Sequence, residues 1–162
     1  MEGGAGFLGW LEMTSLSQAM RFNLWLYPIV EIVHIVGFVT LVGAVAMFDL
    51  RVLGFAKVLP VQALGRHLLR WSLAGLVLVV PAGLMMFSAH PHEFLDNRVF
   101  QIKLILIAAA GLNALLFHAG VYRSVAGWNS DASAPALAQA QALASLAIWI
   151  AVISCGRLLA YT

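Results

Sequence analysis

The stretch LWLYPIVEIVHIVGFVTLVGAVAMF, residues 24–48, decides the fold. A bilayer span needs about 20 mostly apolar residues, and this run exceeds that with only Glu31 and His34 as ionisable interruptions. Hydrocarbon penalises a carboxylate or imidazole unless it has a partner or a task, so such residues mark a candidate functional site. Their spacing of three puts both side chains on one helix face.

Working outward, three further segments are long and apolar enough to span, giving bounds of about 22–48, 68–89, 99–122 and 136–160. Pro81 inside the second should kink it, because proline removes a backbone donor. Gly37, Gly43, Gly75 and the Ala108–Gly111 run supply small surfaces of the kind that let membrane helices approach closely. Ahead of the first span, Trp10, Met13, Leu16, Ser17 and Met20 recur at helical spacing, predicting a short interfacial helix at about 7–20. The fold class is all-α: an integral membrane four-helix bundle with a short N-terminal interfacial helix, one membrane domain over 1–162.

Composition agrees. Of 162 residues, 62% are hydrophobic and 10% charged, against about 25% charged in soluble domains. The net charge of +2 comes without a basic cluster, so nucleic acid is not an expected partner. The N-terminal MEGGAGFLGWLEM is acidic where a signal peptide would be basic, so none is expected. A single cysteine, Cys155, rules out a disulfide or a cysteine-based zinc site within one chain.

Two connections are longer. Residues 49–70 carry Arg51, Lys57, Arg66 and Arg70, and SVAGWNSDASAP (124–135) reads as a polar linker. With Arg123, that side holds five basic residues, against Arg21, Arg98, Lys103 and Arg157 on the other. The positive-inside rule then makes the loop side cytoplasmic and places both termini in the periplasm of a bacterial inner membrane. Asp49 and Arg51 look like a pair anchoring the end of the first span.

Five histidines, His34, His67, His90, His92 and His118, are the usual supply of haem or transition-metal ligands in a four-span protein. At about 1.5 Å per residue, His34 lies roughly 3 Å from its span centre toward the terminal side, and His118 roughly 10 Å toward the loop side. His67 sits about 15 Å toward the loop side. Axial ligands need similar depth. His67 with His118 differ by about 5 Å and His34 with His118 by about 13 Å, and both pairings stay open. Lys103 is placed to snorkel, to meet Glu31 or to bind a porphyrin propionate, and Asn113 to hydrogen-bond across helices. Met85, Met86, His90 and His92 form an alternative set that would suit reduced copper.

The order YPIVEIVHIVG, FDLRVLG, KLILIAAAGLNALLFH resembles a family of small four-helix bacterial membrane proteins over roughly residues 25–123. More distantly it is similar to the copper-resistance D and HemJ-type protoporphyrinogen oxidase group. The resemblance implies a b-type haem or porphyrin ligand, with His34, Lys103 and His118 as carried-over positions. Glu31, the DLR segment and the long second connection depart from the HemJ pattern, and the oxidase activity is not carried over. The function expected is a membrane haem b protein passing electrons, with a quinone or redox protein as partner and a homo-oligomeric state. The alternatives are a copper-binding or copper-transport protein and a structural subunit of a larger membrane complex.

Overall fold

The computed structural model describes residues 6–161. It is 85% helical, and no strand occurs among the described residues. The helices are α1 (Phe7–Glu12), α2 (Ser15–Phe22), α3 (Leu26–Val52), α4 (Val61–Ala89), α5 (Pro91–Asp96), α6 (Arg98–Ala119) and α7 (Ala136–Leu158), with a 3₁₀ segment at Val121–Trp128. Four of them, α3, α4, α6 and α7, are long and apolar enough to cross a membrane. Only 6% of the most apolar stretch of α6 is buried within the chain. Apolar surface on that scale points to a lipid bilayer as the surroundings.

The chain divides into two compact units. The first comprises residues up to Leu41 together with Leu73–Arg98. Here α3 and α4 run antiparallel and cross at glycines. A Cβ placed on Gly37 would meet Leu78 Cβ at 2.7 Å and Val79 N at 2.8 Å. One on Gly75 would meet Gly37 O at 2.6 Å and Leu41 N at 2.7 Å. Gly43 and Gly111, which the sequence groups with them, have nothing within 4 Å of such an atom among the described residues.

The start of α3 is set by Asn23, whose side-chain oxygen accepts from the amides of Trp25 and Leu26 at 3.0 and 3.2 Å. Pro28 falls in the first helical turn, where no partner amide is needed. α4 runs through Pro81 as one helix of 29 residues. It starts seven residues before the expected bound of 68, because a polar stretch that includes the exposed Arg66 and His67 continues the helix beyond its apolar part.

The expected single helix at 7–20 is two, α1 and α2, broken at Met13 and Thr14. Thr14 caps α2 by accepting from the Ser17 amide at 3.3 Å. Nor is its periodic stripe one surface: Ser17 and Met20 are buried while Trp10 and Met13 are exposed. Ser17 Oγ donates to the Ser88 carbonyl at 2.7 Å, and Arg21 Nε donates to the Ala89 carbonyl. These are the last carbonyls of α4, which lack partners within their own helix. Arg21 also pairs with Glu12 at 3.2 Å.

The second unit comprises Val42–Ser72 and the chain from Val99 onward. Its core joins Val52, Val61, Phe117, Val125, Trp128, Ala134, Ala138 and Ala142. The supposed polar linker therefore contributes to the core. Val125 and Trp128, three apart in a 3₁₀ turn, point inward, and the Trp128 indole donates to Ser124 Oγ at 3.1 Å. α3 ends in a glycine cap: Gly54 takes φ +106, and the Phe55 amide reaches back to the Leu50 carbonyl at 3.1 Å.

Candidate functional site

The FDLRVLG segment is the most heavily bonded polar region of the second unit. Arg51 is 2% exposed. It donates from Nε to the Leu59 carbonyl at 2.6 Å, and from Nη2 to the carbonyls of Lys57 and Asn129 at 2.9 and 3.1 Å. Asn129 in turn accepts the first amides of α4, from Val61 on its carbonyl and from Gln62 on its side-chain oxygen, both at 2.9 Å. It caps that helix from 67 residues away. Lys57 Nζ donates to Ser133 Oγ at 2.9 Å, and the Asp131 amide to the Lys57 carbonyl at 3.0 Å.

Asp49 and Arg51 do not pair. Two residues apart on a helix, they point in different directions. Arg51 faces the connecting segments, while Asp49, 6% exposed, accepts from the Ser145 hydroxyl of α7. One turn earlier on α7, the Gln141 carbonyl accepts from Asn113 Nδ2 of α6 at 3.0 Å. Asn113 thus makes a cross-helix bond.

The histidines fall into distinct settings. In the first unit His34 is half-buried, with Nδ1 3.0 Å from the Val79 carbonyl and its ring against Gly83, whose added Cβ would meet His34 Cε1 at 3.1 Å. Glu31 is exposed, one turn from Tyr27 and within electrostatic reach of it. In the second unit His118 is exposed near the end of α6, with Nδ1 2.8 Å from the Ala114 carbonyl. Its ring lies 5.3 Å from that of Tyr122 and 5.5 Å from that of Phe117. His67 is exposed and stacks edgewise on Trp71 at 6.5 Å. His90 pairs with Glu93 at 3.4 Å, and His92 is exposed. Met85 and Met86 pack against the Met20, Val30, Ala82 and Ala89 core. Lys103 lies beside Gly156 of α7, 3.9 Å from where its Cβ would be. It stands about 22 Å along α6 from His118, too far for one macrocycle to engage both.

A carbonyl oxygen only accepts, so Nδ1 is the protonated nitrogen in both His34 and His118, and Nε2 carries the lone pair. A backbone or carboxylate partner on one ring nitrogen is the usual support of a metal-bound imidazole. Among the described residues, no three His, Cys, Asp or Glu side chains are grouped to hold a metal ion. Haem brings its own four nitrogens and asks the protein for one or two ligands.

The first unit also has an open apolar hollow of about 230 Å³ lined by Val30, Val33, Val77, Leu78, Pro81, Ala82 and Met85. Cofactor pockets run to about 300–1,000 Å³, so a macrocycle does not fit there. Beside His118, the α6 face bearing Gly111 and Leu115 is open and apolar, with nothing within 4 Å of an added Gly111 Cβ. Neither the family models, nor curated proteins, nor solved structures contain a match to this chain, so the likeness to the HemJ-type group rests on the motifs alone.

Proposed function

We propose that this chain is a membrane haem b protein that carries electrons, with His118 as the first iron ligand. One observation carries the reading: the Ala114 carbonyl holds the proton of His118 on Nδ1, leaving Nε2 as the coordinating atom on an open apolar face. His34, oriented the same way by Val79, is the second candidate, and His67 the third. When bound, the haem would supply a reversible one-electron iron couple. Tyr122 and Phe117 would fix the imidazole plane, and Arg123, five residues beyond His118, would meet a propionate. A quinone or periplasmic redox protein would exchange electrons with it. A second copy of the chain would cover the exposed α6 face. The inner membrane with periplasmic termini is the arrangement the basic loop residues favour.

The test is a visible spectrum of the detergent-purified protein after haem-replete expression, before and after dithionite. A Soret and α-band lost in His118→Ala is the expected result. Bands retained in His118→Ala but lost in His34→Ala would move the ligand to His34. No haem band in the wild type sinks the proposal. Stoichiometric copper in that preparation, lost in His90→Ala/His92→Ala, would replace it with the copper reading.

A further inference from the structure

Pro81 stands inside α4 and carries no amide hydrogen. The carbonyl four residues before it, that of Val77, has therefore lost the donor its helix would supply. In hydrocarbon a freed backbone acceptor must find another donor, because no water is there to serve it. His34, Thr40 and Ser88, donors on α3 and α4 of the first unit, are engaged elsewhere. His34 Nδ1 donates to the Val79 carbonyl, the Thr40 hydroxyl to Val36 and the Ser88 hydroxyl to Met85. Among the described residues no side chain donates to the Val77 carbonyl.

Val77 and Pro81 both line the open apolar hollow of about 230 Å³. The freed carbonyl runs along the helix axis toward the Pro81 ring, so it lies between two walls of that hollow. Every lining side chain, those of Val30, Val33, Leu78, Ala82 and Met85 included, is apolar. Only a backbone atom can be polar there. An apolar cavity of about 150 Å³ takes up benzene, so the hollow has room for one substituted six-membered ring whose tail extends into lipid. Depth narrows the choice further. Pro81 and Val77 lie about 12 and 18 Å along α4 from its end at Ala89, and a hydrocarbon core is about 30 Å thick. The hollow is therefore near mid-membrane. A phospholipid keeps its polar groups at the surface, and an acyl chain that reaches this depth brings no donor. The occupant must be neutral, ring-bearing and able to carry a hydroxyl to the middle of the bilayer.

We infer that this hollow binds the reduced, quinol form of a membrane quinone, with one ring hydroxyl donating to the Val77 carbonyl. A carbonyl oxygen only accepts. A quinol offers O–H donors and a quinone only acceptors, so the site prefers the reduced form. The inference names a redox partner for the haem reading and rests on that reading for the quinol's role; binding rests on the hollow alone.

Equilibrium binding of a decyl-substituted benzoquinol and of the matching quinone to the full-length protein in phosphatidylcholine nanodiscs, without oxygen, tests this. The expected result is saturable binding of one molecule per chain, with the quinol held about five- to tenfold more tightly, the worth of roughly one hydrogen bond. Pro81→Ala restores an amide that takes the Val77 carbonyl, and it should abolish the preference while leaving quinone binding as it was. Should that variant not fold, Val33→Phe, which fills the hollow, should remove saturable binding of both forms. Equal affinities in the wild type, a preference that survives Pro81→Ala, or saturable binding that survives Val33→Phe would overturn the inference. Uptake that never saturates would overturn it too, leaving the hollow to acyl chains. Binding is read without haem, so its failure overturns this inference alone, whereas an absent haem band overturns only the role given to the quinol.

Discussion

Gly75→Ala should be the most damaging single-methyl addition in the first unit. The new Cβ would stand 2.6 Å from Gly37 O and 2.7 Å from Leu41 N, whereas ordinary contact begins at 3.4 Å. The shortfall is 0.8 Å (3.4 minus 2.6), and the atoms in the way are backbone, which has no rotamer to change. α3 and α4 must therefore separate by about that distance. A gap of about 0.5–1 Å forfeits a quarter to a half of each dispersion contact across the crossing, and overpacking of this kind costs roughly 1–3 kcal/mol. Separation also stretches the 3.0 Å bond from His34 to Val79, worth about 1 kcal/mol. The expected loss is about 3 kcal/mol. Gly43→Ala is the control: nothing lies within 4 Å of its added methyl, and alanine favours a helix over glycine by up to about 1 kcal/mol. That variant should be unchanged or more stable. Unfolding of the purified protein in mixed micelles with rising SDS fraction measures both. Equal midpoints for Gly75→Ala and Gly43→Ala would refute the crossing geometry.

Arg51→Met should destabilise by about 3 kcal/mol or more, because three carbonyls lose a charged donor; Arg51→Lys should recover part of this in the same titration. Asn129→Ala should cost about 1 kcal/mol through the lost cap, and hydrogen exchange should locate the effect at the amides of Val61 and Gln62. Ser17→Ala with Arg21→Ala should leave the global midpoint nearly unchanged while speeding exchange throughout α2, whose polar hold on α4 is two hydrogen bonds beside the packing of Met20. Unchanged α2 protection would show that Met20 packing alone holds it. Gly54→Ala should cost about 1–2 kcal/mol, the usual penalty of a left-handed side-chain-bearing residue.

The four spans were legible because apolar length is a one-dimensional property, and both glycines of the crossing were visible as small residues. Which glycines make the crossing was not, since Gly37 and Gly43 look alike until a partner helix supplies atoms opposite one of them. The role of Arg51 was hidden for a similar reason: its neighbour Asp49 suggests a pair, but its partners are carbonyls, which every residue carries. Trp128 and Val125 could have been found by a period of three within the supposed linker. Among the site residues, Asn113 and the histidines stood out by type. Their usefulness depends on which ring nitrogen faces a carbonyl, and that is decided by neighbouring turns of backbone.

The bonds joining the two connecting segments bear on how the protein is made. Arg51 finds two of its acceptors within eight residues, but the third, Asn129, is 78 residues downstream. The first two spans can enter the bilayer as a hairpin before that residue leaves the ribosome, and during that interval the amides of Val61 and Gln62 have no cap. Closure at Asn129 is therefore the last of these bonds that the growing chain can make, and it caps α4 and completes the Arg51 set in one step.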